Sequence, residues 1–115
     1  MKTYHELLKK LIIFRQERNW ERFQKPKDLA MAAAIEAAEL MQEFLWKTEG
    51  EVTTQVGEDK QRYADEIADT VVYLMLLAND LGIDMYEAID AKMKKNATRY
   101  PVDKCRGKST KYTDL

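Results

Sequence analysis

AIEAAELMQEF, residues 34–44, sets Glu36, Glu39 and Glu43 into an alanine-rich apolar stretch. YADEIADTVVYL, residues 63–74, repeats the arrangement: Asp65, Glu66 and Asp69 lead into an almost wholly apolar run. Ala, Leu, Met and Glu are strong helix formers, so both stretches read as helices. At about 100° per residue, Glu36 and Glu39 project about 60° apart, one turn above the other, with Glu43 between them in angle. Glu66 and Asp69 share that three-residue spacing, with Asp65 alongside. Carboxylates thus stand twice where a helix is expected to bury itself.

Working outward, the pattern predicts four main helices and nothing resembling a strand. The first covers about Thr3 to Arg18, with Leu7, Leu8, Leu11, Ile12 and Phe14 as its apolar stripe. The second runs from about Pro26 to Lys47, with Pro26 suited to a first helical position and Asp28 to the N-terminal dipole. TEGEVTTQVGED, with two glycines and two adjacent threonines, reads as a loop. A third helix extends from about Glu58 to Leu81 and stops at Gly82, a residue that tolerates a left-handed cap. Asp84 and Glu87 have capping-box spacing and open a fourth helix that fades before Pro101. From about residue 101 the tail is polar and irregular. The expectation is an all-α, single-domain antiparallel bundle over residues 1–115, since short connections favour antiparallel neighbours.

Composition sets bounds on function. At 115 residues with 45% apolar and 34% charged side chains, the chain is globular in character. A net charge of −1 gives no global attraction to nucleic acid or anionic membrane. One cysteine, Cys105, forms no internal disulfide. KTYHELLKK after Met1 lacks signal-peptide features, and the longest apolar run, Val71 to Ala78, is too short to span a bilayer. A cytoplasmic location is expected.

The bland explanation of any one carboxylate pair is a solvated acidic face. Two pairs on successive helices, both in apolar surroundings, argue for more. Ionised carboxylates near a core need a cation or strong donors. All-oxygen donors select Mg²⁺ or Mn²⁺ over Zn²⁺. A di-iron bundle wants Glu-x-x-His, and the lone His5 is far from both clusters. No glycine-rich phosphate loop is present.

EAAE followed by EIAD resembles the E-x-x-E…E-x-x-D signature of the MazG-like all-α nucleotide pyrophosphohydrolases. Within that family the chain is most similar to the dCTP pyrophosphatase branch, through ERNWERFQKPKDL, ELMQEFLWK, ADTVVYL, AKMKKNATRYPV and KYTDL. The resemblance implies that Glu36, Glu39, Glu66 and Asp69 hold magnesium and that the bond between the α- and β-phosphates of dCTP or a modified relative is cut. It further implies a base pocket with Trp20, Trp46 and Tyr73, and a homotetramer with pockets lined by more than one subunit. Where mammalian members carry a histidine near the end of helix one, this chain has Leu11.

Lys92, Asn96 and Arg99 share a face of the fourth helix and Tyr100 follows. Alone, they read as a basic helix end complementing the macrodipole; the resemblance implies a clamp on triphosphate oxygens. Leu40, Met41, Phe44, Leu45, Val71, Leu74 and Leu77 amount to more apolar surface than one small bundle hides, which predicts completion by oligomerisation. The competing readings are a non-catalytic helical interaction module with solvated acidic faces, and a house-cleaning pyrophosphatase of different or broader nucleotide preference.

Overall fold

The computed structural model describes residues 2–115, and among these it is all-α: six α-helices, one 3₁₀ turn and no strand. The helices are α1 (Tyr4–Glu17), α2 (Pro26–Gln42), α3 (Glu49–Glu58), α4 (Lys60–Asp80), α5 (Met85–Arg99) and α6 (Val102–Cys105). Two compact units result, one extending to Gly82 and the other spanning Ile83–Leu115.

In the first unit, α2 packs along α4. The pairs Lys25–Asp80, Glu36–Asp69 and Glu43–Arg62 climb one helix while descending the other, so the two run antiparallel. Leu29, Ala33, Tyr63, Met75, Leu76 and Ala78 are buried. Each helix is also given a defined start. Thr3 and Glu6 close a capping box on α1, Pro26 occupies the first turn of α2, and Asp59 caps α4 through the Arg62 amide.

The segment read as a loop, Thr48–Asp59, is largely helix α3. Thr48 caps it by accepting from the Glu51 amide at 3.1 Å. Thr53 and Thr54 donate their hydroxyls to the carbonyls of Glu49 and Gly50 four residues back, which reconciles adjacent threonines with a helix. The second helix, in contrast, ends at Gln42 instead of Lys47. Its last residues tighten into three-residue turns, Phe44 bonding to Met41 and Lys47 to Phe44, and Trp46 takes a left-handed φ of 64°. That conformation is disfavoured for any residue with a Cβ and cannot continue a right-handed helix.

In the second unit, Asp84 caps α5 by accepting from the Glu87 amide at 2.9 Å. The tail is more ordered than its composition suggests. Cys105 Sγ donates to the Tyr100 carbonyl, and Tyr112, in the 3₁₀ turn, meets the Tyr100 ring edge-on with centroids 5.9 Å apart. No helix among the described residues is long and apolar enough to cross a membrane.

Candidate active site

The antiparallel register of α2 and α4 brings the two carboxylate motifs face to face. Glu36, Glu39 and Glu66 each offer an oxygen within 4.8 Å of the others. Asp69 lies beside this group, close enough for its charge to act on both Glu36 and Glu66. Glu36 Oε2 and Glu66 Oε2 are buried and have no hydrogen-bond partner among the described residues. Such atoms are expensive to leave unmet. Burial, followed by the neighbouring Glu39 and then Asp69 and Glu66, pushes the Glu36 carboxyl up to about 7. The Glu66 carboxyl is likewise raised, by burial first and then by Glu39.

The remaining carboxylates of the two motifs are structural or solvated. Glu43 forms an ion pair of 2.8 Å with Arg62, and Asp65 accepts from Gln61 Nε2 at 2.7 Å on the exposed side of α4. Periodicity sets Glu43 in line with Glu36 and Glu39; its ion pair removes it from their group. The apolar flank expected around Glu36 is also only partly covered, because Ala34 and Ile35 face solvent on the side of α2 turned away from α4.

Next to Asp69 opens a cavity of about 210 Å³, lined by Leu11, Phe14, Arg15, Trp20, Gln24, Asp69, Val72, Tyr73 and Leu76. Local backbone chemistry builds its rim. At the end of α1, Asn19 adopts φ 53°, a left-handed conformation that Asn tolerates. The Asn19 amide bonds to the Gln16 carbonyl and the Trp20 amide to that of Arg15, the paired bonds of a Schellman motif. This turn brings the Trp20 ring edge-on to Phe14, with centroids 5.9 Å apart. The amides of Phe23 and Gln24 then bond back to the Trp20 carbonyl, folding Gln24 toward the same cavity. At its floor Arg15, buried, spans both oxygens of Asp80 at 2.7 and 2.8 Å. That pairing holds the Asp80 carboxyl below its usual range.

Two of the three aromatic residues expected at a base pocket, Trp20 and Tyr73, therefore meet in one cavity, with Asp69 between them and the acidic group. Trp46 does not: it is 92% exposed and lines no part of that cavity. Lys92, Asn96 and Arg99 are exposed along α5, and half-buried Tyr100 is its C-cap. The Arg99 guanidinium lies 4.8 Å from the centre of the Tyr112 ring. Arg15 and Gln24 are cavity residues that sequence reading does not single out. A cation interrupting the apolar stripe of α1 is the one signal present, and its partner stands 65 residues away.

Residues 31–115 match the MazG-like family. The chain belongs to that family. It is 40% identical over 104 residues to dCTP pyrophosphatase 1 of Rattus norvegicus, covering 89% of this chain and 61% of the relative. The Homo sapiens protein of the same name is 39% identical over the same share of each chain. The chain thus spans about three-fifths of the length of these curated relatives. Among solved structures, a pyrophosphatase from Archaeoglobus fulgidus superposes with a TM-score of 0.80 at 36% identity, covering 88% of this chain and 96% of that one. The MazG-like assignment accords with the all-α fold and with an acidic group carried on two paired helices.

Proposed function

We propose that this MazG-like chain is a Mg²⁺-dependent nucleoside triphosphate pyrophosphohydrolase that converts dCTP or a modified dCTP to the monophosphate and pyrophosphate, clearing it from the nucleotide pool. The observation that carries the reading is the group Glu36, Glu39 and Glu66, with Asp69 beside it and two buried oxygens unmet. The donors are all carboxylate oxygens, which suit Mg²⁺ or Mn²⁺. Bound by these four residues, such a cation supplies Lewis acidity at a phosphoryl oxygen and lowers the pKa of water. A carboxylate of α2, from Glu36 or Glu39, accepts the proton of the attacking water. Trp20 and Tyr73 provide flat apolar faces for the base in the neighbouring cavity. Lys92, Asn96, Arg99 and Tyr100 bind the triphosphate oxygens.

The same reading includes assembly. Met31, Ile35 and Met41 on α2, and Ile67, Val71 and Leu74 on α4, are all exposed large apolar residues at helical spacing. Surface of this kind favours a self-complementary partner, here a homotetramer. Trp46, exposed and outside its own chain's cavity, contributes from a neighbouring copy. The proposed location is the cytoplasm.

Incubation with a panel of deoxynucleoside triphosphates and Mg²⁺ tests the activity, with pyrophosphate and orthophosphate measured separately. Stoichiometric pyrophosphate, fastest with dCTP, is expected; orthophosphate alone, or no turnover, contradicts the proposal. A purine nucleotide cleaved as efficiently as dCTP would favour a broader house-cleaning role.

A further inference from the structure

Two polar atoms of the residues that line the cavity are left without partners. Arg15 Nε and Gln24 Oε1 are buried, and neither has a hydrogen-bond partner among the described residues. Both residues line the cavity that Trp20 and Tyr73 also border. Arg15 as a whole is 94% buried, at 6% exposure. A buried donor and a buried acceptor on two residues that line one small cavity are a demand for a ligand that offers the reverse pair.

We propose that Arg15 and Gln24 form the edge-reading pair of this cavity and give the chain its choice of cytosine over uracil and thymine. The inference rests on the pyrophosphohydrolase reading above and adds to it the groups that discriminate the base. Cytosine carries an exocyclic amino donor next to the ring N3 acceptor. The amino group donates to Gln24 Oε1, and Arg15 Nε–H donates to N3. Uracil and thymine reverse both functions, presenting the O4 acceptor and the N3–H donor.

The two protein groups are not equally adaptable. The carboxamide of Gln24 is able to rotate and offer its NH₂ to O4. Arg15 has no such freedom: Nη1 and Nη2 are held by Asp80 Oδ2 and Oδ1 at 2.7 and 2.8 Å, and a guanidinium accepts nothing. The N3–H of uracil or thymine therefore meets a fixed donor. A site built to hydrogen-bond one partner rejects the analogue that leaves its buried groups unpaired. The stacking residues do not provide this selectivity, since every base has a π-face. The ion pair with Asp80 thus acts as a positioning device, fixing the direction of the Arg15 Nε–H.

Calorimetric binding of α,β-imido-dCTP and α,β-imido-dUTP in Mg²⁺, with the full chain, tests the pair directly. Wild type is expected to favour the cytosine analogue. Arg15→Lys, which keeps a cation for Asp80 but removes the Nε–H, is expected to lower that preference about tenfold, mainly by weakening the cytosine analogue. Gln24→Glu, which keeps an acceptor and offers O4 only a repelling carboxylate, should retain or raise it. Opposite responses of the two variants cannot come from a general loss of folding. A preference unchanged by Arg15→Lys, or lowered equally by both variants, overturns the inference while leaving pyrophosphate release intact. Equal binding of the two analogues by wild type also overturns it. Failure of wild type to bind either analogue removes the pyrophosphohydrolase reading and the inference together.

Discussion

Helix α4 carries carboxylates toward α2 at one end and toward α1 at the other, and the two ends solve the same electrostatic problem in opposite ways. Near its C-terminus, Asp80 meets the guanidinium of Arg15 in a two-pronged ion pair, and its carboxyl is held below the ordinary range. In its N-terminal half, Glu66 and Asp69 meet Glu36 and Glu39, and no cation of the protein joins Glu36, Glu39 and Glu66 among the described residues. There the Glu36 and Glu66 carboxyls are pushed upward. A satisfied buried charge is the signature of structure, whereas concentrated, unmet charge of one sign is the signature of a site awaiting a ligand.

The largest expected effect lies at the unmet end. Glu36→Gln, Glu39→Gln, Glu66→Gln and Asp69→Asn should each lower turnover by about two orders of magnitude or more, since on the proposed reading each removes a ligand of a shared cation. The helical circular dichroism should be unchanged. Steady-state kinetics beside a thermal melt check both halves; near-normal turnover in two of the four variants breaks the contrast.

At the satisfied end, Asp80→Asn should leave the fold weakened by about 2–3 kcal/mol. Breaking a fully buried pair costs about 3–5 kcal/mol, and the discount reflects the partial exposure of Asp80, whose side chain is 21% accessible. Urea denaturation measures it. A loss below about 0.5 kcal/mol would mean that the ion pair does not anchor α1 to α4.

Much of this contrast was legible in the sequence, but unevenly. The i,i+3 spacing of Glu36 with Glu39 and of Glu66 with Asp69 is a local property, and helix geometry converts it directly into one face. Sorting Glu43 from Glu36 is not local, because it depends on Arg62 from another helix. The same holds for Arg15, whose partner is 65 residues away. The helix α3 was hidden for a different reason. Its threonines carry poor intrinsic helix propensity, and their bonds to the carbonyls of Glu49 and Gly50 form only once the helix exists. Trp46 read as a continuation of α2, yet it takes a left-handed φ and does not line the cavity that Trp20 borders.

The pH response should separate the two ends more finely. Glu36 has its folded-state pKa raised from the ordinary 4.5 to about 7, so the folded chain binds more proton than the unfolded chain between those values. Stability without metal should therefore fall as pH rises from about 4.5 to about 7. Asp80 works in the other direction: its pKa is lowered, so its contribution is present above the ordinary carboxylate range and lost as pH falls below it. Melting temperature without Mg²⁺ should thus peak near pH 5 and decline on both sides. A monotonic rise from pH 5 to pH 8 would contradict the assignment of unmet charge to Glu36.

The smallest effect is expected for Asp65→Asn. Asp65 is exposed and bonded to Gln61 within its own helix. Turnover should stay within about twofold and stability within about 0.5 kcal/mol of wild type. A loss of turnover like that of Glu66→Gln would enlarge the site beyond the face defined by the α2–α4 register.

The most direct test of the central claim is a pair of thermal melts at pH 7.5, for wild type and Glu36→Gln, each with and without Mg²⁺. Without Mg²⁺ the variant should melt higher, because one member of a mutually repelling group has been neutralised. With saturating Mg²⁺ the order should reverse, as wild type gains the larger stabilisation from the cation. An order unaffected by Mg²⁺, or a wild type already the more stable without it, would contradict the account of Glu36, Glu39, Glu66 and Asp69 as a metal site.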